Sequence, residues 1–175
     1  SSSWFFSSSS SGGAASIDRL VSRERFAKMA GLLKYYREWD FHCSTALQTK
    51  AKSSGFDLLG SEICFNIEST AALTAEETEK LLWLLRETFE PEKCAASSFL
   101  KADAGNSVLE VGPRQQFTSA WSTNAVSICA SIGLQKITRI ERSRRYLVKG
   151  SGKIADFAQH VHDRMTECIY PNGIT

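Results

Sequence analysis

The sequence predicts an α+β protein, and three observations support this fold class. Residues 62–68 alternate apolar and polar side chains, as does a strand that buries one face. Apolar residues recur at helical spacing over 75–90 and 119–132. Strand-forming residues are dense in 107–112 and 136–148. We therefore expect one antiparallel or mixed sheet, built from ferredoxin-like βαβ units, with both helices on one face.

Both helices carry boundary signals in the sequence. Thr74 and Glu77 form a capping box ahead of the first helix. Thr118 or Ser119 is suited to cap the second helix, and Gly133 is a typical residue just beyond a helix end. These signals bound the two helices independently of their apolar periodicity.

The segments around this unit are predicted from their composition. Residues 1–16 are Ser-rich and free of acidic side chains, which predicts a disordered leader and weakly favours organelle targeting. Within 17–60 we predict a helix over 17–39 and an irregular stretch over 40–60. A last helix over 154–169 is expected to leave the unit after a glycine break. Since the chain begins with serine and ends abruptly, we expect it to be a piece of a longer protein.

The composition is that of a globular protein, with 42% hydrophobic and 23% charged residues among 175. A net charge of +2 gives no reason to expect nucleic acid or a membrane surface as a partner. The cysteines are odd in number, scattered and free of CxxC spacing, which predicts core thiols in a reducing compartment and excludes a zinc ribbon. They are Cys43, Cys64, Cys94, Cys129 and Cys168.

One segment suggests an anion site. Gly112–Arg114 leads towards a helix N-terminus, where free backbone N–H groups favour negative charge and Arg114 could clamp a phosphate. The alternative is a tight turn with an ordinary cap and a surface arginine. The sequence leaves both interpretations open.

The densest basic cluster lies on the last predicted strand. Because side chains alternate along a strand, Arg142 and Arg144 share a face and Arg145 opposes them. Arginines divided between two faces make a poor nucleic-acid stripe, so pairing with acidic groups of a neighbouring domain fits better. A local pair between Glu141 and Arg142 is the other interpretation.

The remaining candidates do not form a catalytic or metal site. His160 and His162 diverge on a predicted helix and cannot hold one metal ion together. No nucleophile and base can be assigned to a shared cleft. Trp83 and Trp121 are typical of core or interface anchors. We therefore predict no catalytic, cofactor-binding or metal-binding residue.

Several motifs together carry a resemblance. They are ICFNIE (63–68), WLLRETFEPE (83–92), GPRQQFTSAWSTNA (112–125), GLQKITRIERSRRY (133–146) and HDRMTE (162–167). In this order and spacing they resemble the N-terminal region of the large, single-chain phosphoribosylformylglycinamidine synthases, and most closely the plant-type forms. Coverage runs from about 62 to 170. Residues 1–60 show no convincing match, although the family normally begins there with a further strand and helix.

The resemblance implies a place in purine biosynthesis. The family converts formylglycinamide ribonucleotide to the amidine with ATP, magnesium and ammonia released from glutamine. Residues 61–149 would be its N-terminal α+β domain, which packs the synthase and glutaminase domains of the same polypeptide together. Residues 153–175 would begin the following linker domain. The matching segments include no ATP-binding loop and no glutaminase residues, so the isolated chain is expected to be inactive and to hold no cofactor.

These arguments give one set of candidate interdomain contacts and leave two alternatives open. The alternatives are a stand-alone phosphate- or RNA-binding module and a truncated, non-functional fragment. The leading hypothesis includes neither nucleic acid nor membrane as a partner, and places the protein in the cytoplasm or plastid stroma. The candidate contacts are Arg114, Ser119, Trp121, Ser122, Asn124, Glu141, Arg142, Arg144, Arg145, Tyr146, His162, Asp163, Arg164 and Glu167.

Overall fold

A single antiparallel sheet organises the part of the chain that the computed structural model describes, residues 31–39, 45–86 and 90–175. Its strand order is β3-β1-β2-β5-β4-β6, and every neighbouring pair is antiparallel. The α+β class is therefore confirmed. The strands are β1 (Leu32–Glu38), β2 (Phe56–Ser69), β3 (Cys94–Ala95), β4 (Asn106–Pro113), β5 (Ile137–Gly150) and β6 (Glu167–Ile169).

All the helices of the described chain pack on one face of this sheet. Ile140 contributes to the core beneath the second and third helices, and Tyr146 to the core beneath the first and fourth. These two residues lie six positions apart on an unbroken stretch of β5, so their side chains point to the same side. The helices are α1 (Thr45–Ser53), α2 (Ala75–Leu85), α3 (Ala120–Ser131) and α4 (Ile154–Val161), with a short 3₁₀ turn at Pro91–Lys93.

The helical face holds two apolar clusters at opposite ends of the strands. The first lies under α2 and α3 and is built around Phe65, Ile67, Leu81, Cys129 and Ile140. The second lies under α1 and α4 and is built around Ala51, Phe56, Tyr146, Val148 and Phe157. The helix-free face of the sheet is polar by contrast, and it carries Glu62, Glu110 and Arg145, which are described below.

The central elements match their predicted positions. The strands expected at 62–68, 107–112 and 136–148 lie within β2, β4 and β5. Ser119 caps α3, and Gly133 takes a φ of +90°, a left-handed conformation that glycine adopts readily after a helix. The predicted helix 75–90 corresponds to α2, which ends at Leu85. Residues 87–89 lie outside the described chain.

The N-terminal predictions were partly wrong. The helix expected over 17–39 is replaced at its end by β1, because Leu33 and Tyr35 pair with β2 and turn into the first cluster. The irregular stretch expected over 40–60 contains α1 and the start of β2. The predicted leader and residues 17–30 lie outside the described chain.

The helix predicted over 154–169 was also wrong in extent and position. It ends at Val161, and the chain then turns into β6. Met165, which continued the apolar spacing, is 85% exposed. Phe157 is fully buried against Tyr146, so α4 packs onto the sheet and does not leave it.

The ferredoxin-like connectivity is not confirmed. A βαβ unit joins two parallel strands through a crossover helix. Helices α1 and α3 each connect neighbouring strands that are antiparallel. Helices α2 and α4 instead connect strands that run parallel on either side of a third strand, so only these two of the described helices have a βαβ-type connection. The apolar spacing of each element predicts which face is buried but does not determine strand direction.

The capping box of α2 yields a first testable prediction. Glu77 N donates to Thr74 Oγ1 at 3.2 Å, and Thr74 N donates to Glu77 Oε2 at 2.8 Å. We expect Thr74→Ala to lower the free energy of unfolding by about 1 kcal/mol, measured by urea denaturation. Thr118→Ala is the matched control, because Ser119 and not Thr118 caps α3. A control loss as large as that of Thr74→Ala would contradict the assignment.

Candidate functional site

The segment that connects β4 to α3 is held by two charged residues of β5. Arg139 donates from Nη1 to the carbonyl of Gln115 at 2.8 Å and from Nη2 to that of Phe117 at 2.6 Å. Glu141 accepts from Ser119 N at 3.0 Å and from Ser119 Oγ at 2.7 Å. The N-terminus of α3 therefore already faces a carboxylate of its own chain.

Of the two interpretations of Gly112–Arg114, this arrangement favours a turn with an ordinary cap over a phosphate site. The positive end of a helix favours an anion, and Glu141 provides one. The guanidinium of Arg114 donates instead to the carbonyl of Arg164 at 2.8 Å, and Arg114 N donates to Thr166 O at 3.0 Å. Arg114 thus fastens β4 to the turn that precedes β6.

A buried charged network occupies the helix-free face of the sheet. Arg145 forms an ion pair with Glu62, which is fully buried. The Nε of Arg145 lies 3.3 Å from Glu110 Oε2, which is close enough for an ion pair, although the N–H is not aligned for a hydrogen bond. Ser143 Oγ donates to Glu110 Oε1 at 2.6 Å. Arg145 therefore neutralises two carboxylates inside the domain.

Loop and tail segments complete the burial of these carboxylates. Ser98 Oγ and Phe99 N donate to Glu62 at 2.7 and 2.8 Å. On the other side, a Cβ placed on Gly173 would come within 3.2 Å of Glu110 Oε2. The neighbouring Cys64 thiol is also buried, and burial raises its pKa to about 12, which makes it a poor nucleophile. These contacts support a structural role for the network.

Arg144 ties the last strand to the body of the sheet. Its Nη2 donates to both carboxylate oxygens of Glu167, at 2.7 and 2.6 Å. Glu167 Oε2 also accepts from Asp163 N at 2.8 Å. Asp163 Oδ1 accepts from Met165 N, and this hydrogen bond lowers the pKa of Asp163. Both carboxylates therefore order the turn after α4.

Arg142 is placed differently from the other arginines of β5. Its Cζ lies 4.2 Å from the ring centroid of Trp121, whose ring also lies 6.1 Å from that of Phe65. Partial burial lowers the pKa of Arg142, and the charge of Glu141 opposes that shift. Within the described chain, no carboxylate lies within ion-pair distance of the Arg142 guanidinium, which is exposed. Arg142 and Trp121 therefore form a cation–π pair whose guanidinium is accessible at the surface.

The candidate contacts differ in how far they are exposed and in whether they are used within the domain. Ser122 and Tyr146 are buried in the interior, and Ser119, Glu141, Arg144, Arg145 and Glu167 are used in contacts within the domain. His162 is half-buried at the end of α4, where its Nδ1 contacts the carbonyl of Ala158. Trp121 is half-buried beneath Arg142. The candidates that remain exposed are Arg114, Asn124, Arg142, Asp163 and Arg164.

Sequence reasoning missed the acidic half of the network. Glu62 and Glu110 lie directly opposite Arg145 on the two strands that flank it. A glutamate on a predicted strand next to an arginine-rich strand would indicate such an ion pair. To use this signal, one must know which strands are neighbours, and the sequence does not show the strand order. The predicted division of Arg142 and Arg144 from Arg145 is confirmed.

Within 31–39, 45–86 and 90–175, no three His, Cys, Asp or Glu side chains come together as metal ligands. The buried carboxylates Glu62, Glu110 and Glu141 are engaged by arginine and serine groups. In the same part of the chain, no helix combines the length and apolar character that a membrane span requires.

Comparison with known proteins identifies the domain. Residues 62–173 match the family model described as formylglycinamide ribonucleotide amidotransferase N-terminal. The chain belongs to this family. In this amidotransferase N-terminal domain, the matched range begins within β2, at Glu62, and includes β3 to β6 and α2 to α4. Strand β1 precedes the matched range, and all seven of its residues pair with β2.

Full-length relatives agree with this assignment. A probable chloroplastic/mitochondrial phosphoribosylformylglycinamidine synthase of Arabidopsis thaliana is 47% identical over 134 residues, or 71% of this chain. The phosphoribosylformylglycinamidine synthases of Dictyostelium discoideum and Homo sapiens are 43% and 38% identical over 71% and 65% of it. The amidotransferase N-terminal chain spans only about a tenth of the length of these curated relatives, at 10%, 10% and 9%.

Proposed function

We propose that this chain is the N-terminal docking and coupling domain of a full-length phosphoribosylformylglycinamidine synthase. In this proposal the whole polypeptide converts formylglycinamide ribonucleotide to the amidine in purine biosynthesis. ATP, magnesium and glutamine are used by the synthase and glutaminase domains. The N-terminal domain holds those domains together so that ammonia passes from one to the other. The compartment is the cytoplasm or the plastid stroma.

The family match supports this proposal most strongly, since it assigns 62–173 to the N-terminal part of the amidotransferase. The site geometry agrees with a role in contacts. Most charged candidates are used to build the domain itself, and Arg142 on Trp121 is presented outwards without a carboxylate partner in the described chain. Arginine and tryptophan are typical anchor residues of protein interfaces. Arg142 is therefore the candidate contact that we expect to matter most.

A nitrogen-source comparison tests the coupling role in the full-length enzyme. Arg142→Gln is expected to lower the glutamine-dependent rate by about tenfold, the effect of losing one interface anchor. Turnover supported by added ammonium salt should stay near the wild-type rate, because external ammonia bypasses the transfer between domains. Both rates are measured at saturating ATP and formylglycinamide ribonucleotide.

Lys149→Gln provides the matched control for this experiment. Lys149 also lies on β5 and is exposed, but it was not among the candidate contacts. It should leave both rates unchanged. Equal losses with glutamine and with ammonium for Arg142→Gln would indicate a damaged synthase domain and would overturn the coupling role.

A further inference from the structure

A second surface of the domain has no partner in the described chain. Helix α2 and the end of α3 enclose a groove of about 670 Å³ on the outer side of the helical layer. Leu82, Trp83 and Ile132 form its apolar part, and Glu79, Lys80 and Arg86 complete its lining. We call this surface the α2–α3 groove. It lies on the helical layer, whereas the Glu62–Arg145–Glu110 network lies on the opposite face of the sheet.

Trp83 distinguishes this groove from an ordinary helix surface. Leu81 and Leu85 turn into the core and are 0% and 7% exposed, while Trp83 between them is 74% exposed. On α3, Ile128 is 47% exposed one turn before Ile132. An indole and aliphatic side chains that stay in contact with water lose the stabilisation that burial would give them. A contiguous patch of this kind marks an interaction surface.

The charges around the groove indicate the chemistry of its occupant. Lys80 forms an ion pair with Glu76, on the preceding turn of α2, at 2.7 Å. Glu79 and Arg86 add one charge of each sign to the lining. The rim therefore has no strong field of one sign, unlike a surface that binds nucleic acid or an anionic membrane. An apolar centre within a mixed polar rim is the usual composition of a protein–protein interface.

We propose that the α2–α3 groove is the docking site for an apolar ridge on another domain of the same full-length polypeptide, with Trp83 as the central anchor. The curated relatives are about ten times longer than the matched chain, so in an intact protein of this kind most of the polypeptide lies outside this domain and supplies surfaces that could fill the groove. The inference rests on the proposed function. It adds a second contact surface, apolar in character, to the polar surface around Arg142.

Site-specific photo-crosslinking in the full-length enzyme tests this inference. The photoreactive residue p-benzoylphenylalanine is incorporated at position 83, and the crosslinked peptides are identified by mass spectrometry. We expect position 83 to crosslink to residues beyond 175 within one polypeptide. Leu59 is the matched control position, since it is a large apolar residue, 46% exposed, that does not line the groove. Position 59 should give less than about a tenth of the position 83 yield.

Each other crosslinking outcome overturns the inference. Crosslinks confined to residues 1–30 would identify a segment of this chain as the occupant. Crosslinks between two copies would identify a self-association surface. A negligible yield at position 83 would show that the groove is open to solvent. Equal substantial yields at positions 59 and 83 would show that the groove is not a specific docking site.

A substitution separates this inference from the coupling role of Arg142. Trp83→Gln in the full-length enzyme should increase the rate of proteolytic cleavage just after the domain by more than about tenfold, because an anchor of the docked state is lost. Leu59→Gln should leave this rate unchanged. Faster cleavage of Trp83→Gln, together with normal glutamine-dependent turnover of Arg142→Gln, would support the groove and count against the coupling role. An unchanged cleavage rate with the predicted Arg142→Gln effect would do the reverse.

Discussion

Arg145→Met is expected to lower the free energy of unfolding of this domain by about 3–5 kcal/mol, which would leave it barely folded at room temperature. The guanidinium of Arg145 is the cation between Glu62 and Glu110, which are 0% and 4% exposed. Methionine retains much of the side-chain volume but leaves two buried carboxylates without a counter-charge. Ionised groups away from water are costly unless they are paired. Urea denaturation followed by tryptophan fluorescence measures the loss.

Arg142→Met is a closely matched control for this prediction. Arg142 lies on the same strand three residues earlier, carries the same charge and points to the opposite face. It stacks on Trp121 and has no carboxylate partner in the described chain, so its removal should cost less than about 1 kcal/mol. Similar losses for the two variants would show that the network contributes little. Replacing Glu62, Glu110 and Arg145 together by apolar residues should recover part of the stability that Arg145→Met loses.

The elements that the sequence predicted correctly are those with local signals. Alternation along 62–68 and the capping box at Thr74 depend only on neighbouring residues, and both lie where they were expected. The strand β1 was missed because Leu33, Tyr35 and Tyr36 satisfy helical and strand spacing equally well. Its pairing with β2, some thirty residues later, decides between the two structures. Contacts of that kind cannot be inferred from a local window.

The same limit applies to the candidate site. A period of two along β5 was enough to place Arg142 and Arg145 on opposite faces. It could not indicate that Arg144 pairs with Glu167, because β6 was predicted as part of a helix. In the structure, the polar residues 162–167 form the turn after α4. Glu167 and Asp163 stabilise this turn by accepting backbone hydrogen bonds. The choice between an anion site and an ordinary cap at Gly112–Ser119 also depended on the next strand, because Glu141 of β5 accepts hydrogen bonds from Ser119.

Phe157→Ala is expected to destabilise the whole domain by about 3–5 kcal/mol, the usual cost of removing a fully buried aromatic side chain. Phe157 packs at 5.8 Å from Tyr146 of β5 and at 6.4 Å from Phe56 of β2, measured between ring centroids. Because β2 and β5 also contribute Phe65, Ile67 and Ile140 to the first cluster, the loss should appear at both ends of the sheet. Trp39 lies beside the substitution, with its ring centroid 6.4 Å from that of Tyr146, so Trp4 and Trp39 are first replaced by Phe in both proteins that are compared. The fluorescence of Trp83 and Trp121, at the α2–α3 end, then measures whether both clusters unfold in one transition.

The outcome also decides where the domain ends. Ile154→Ala is the matched control on the same helix, because Ile154 is 36% exposed and its truncation should cost less than about 1 kcal/mol. If residues from 153 onwards belonged to a separate linker domain, Phe157→Ala would leave the tryptophan transition at its wild-type urea midpoint. If Phe157→Ala lowers this urea midpoint and Ile154→Ala leaves it unchanged, α4 belongs to the same cooperative unit as the rest of the domain. Phe157 is buried against residues of β2 and β5, and both strands also form the core beneath α2 and α3. This packing favours a single cooperative unit.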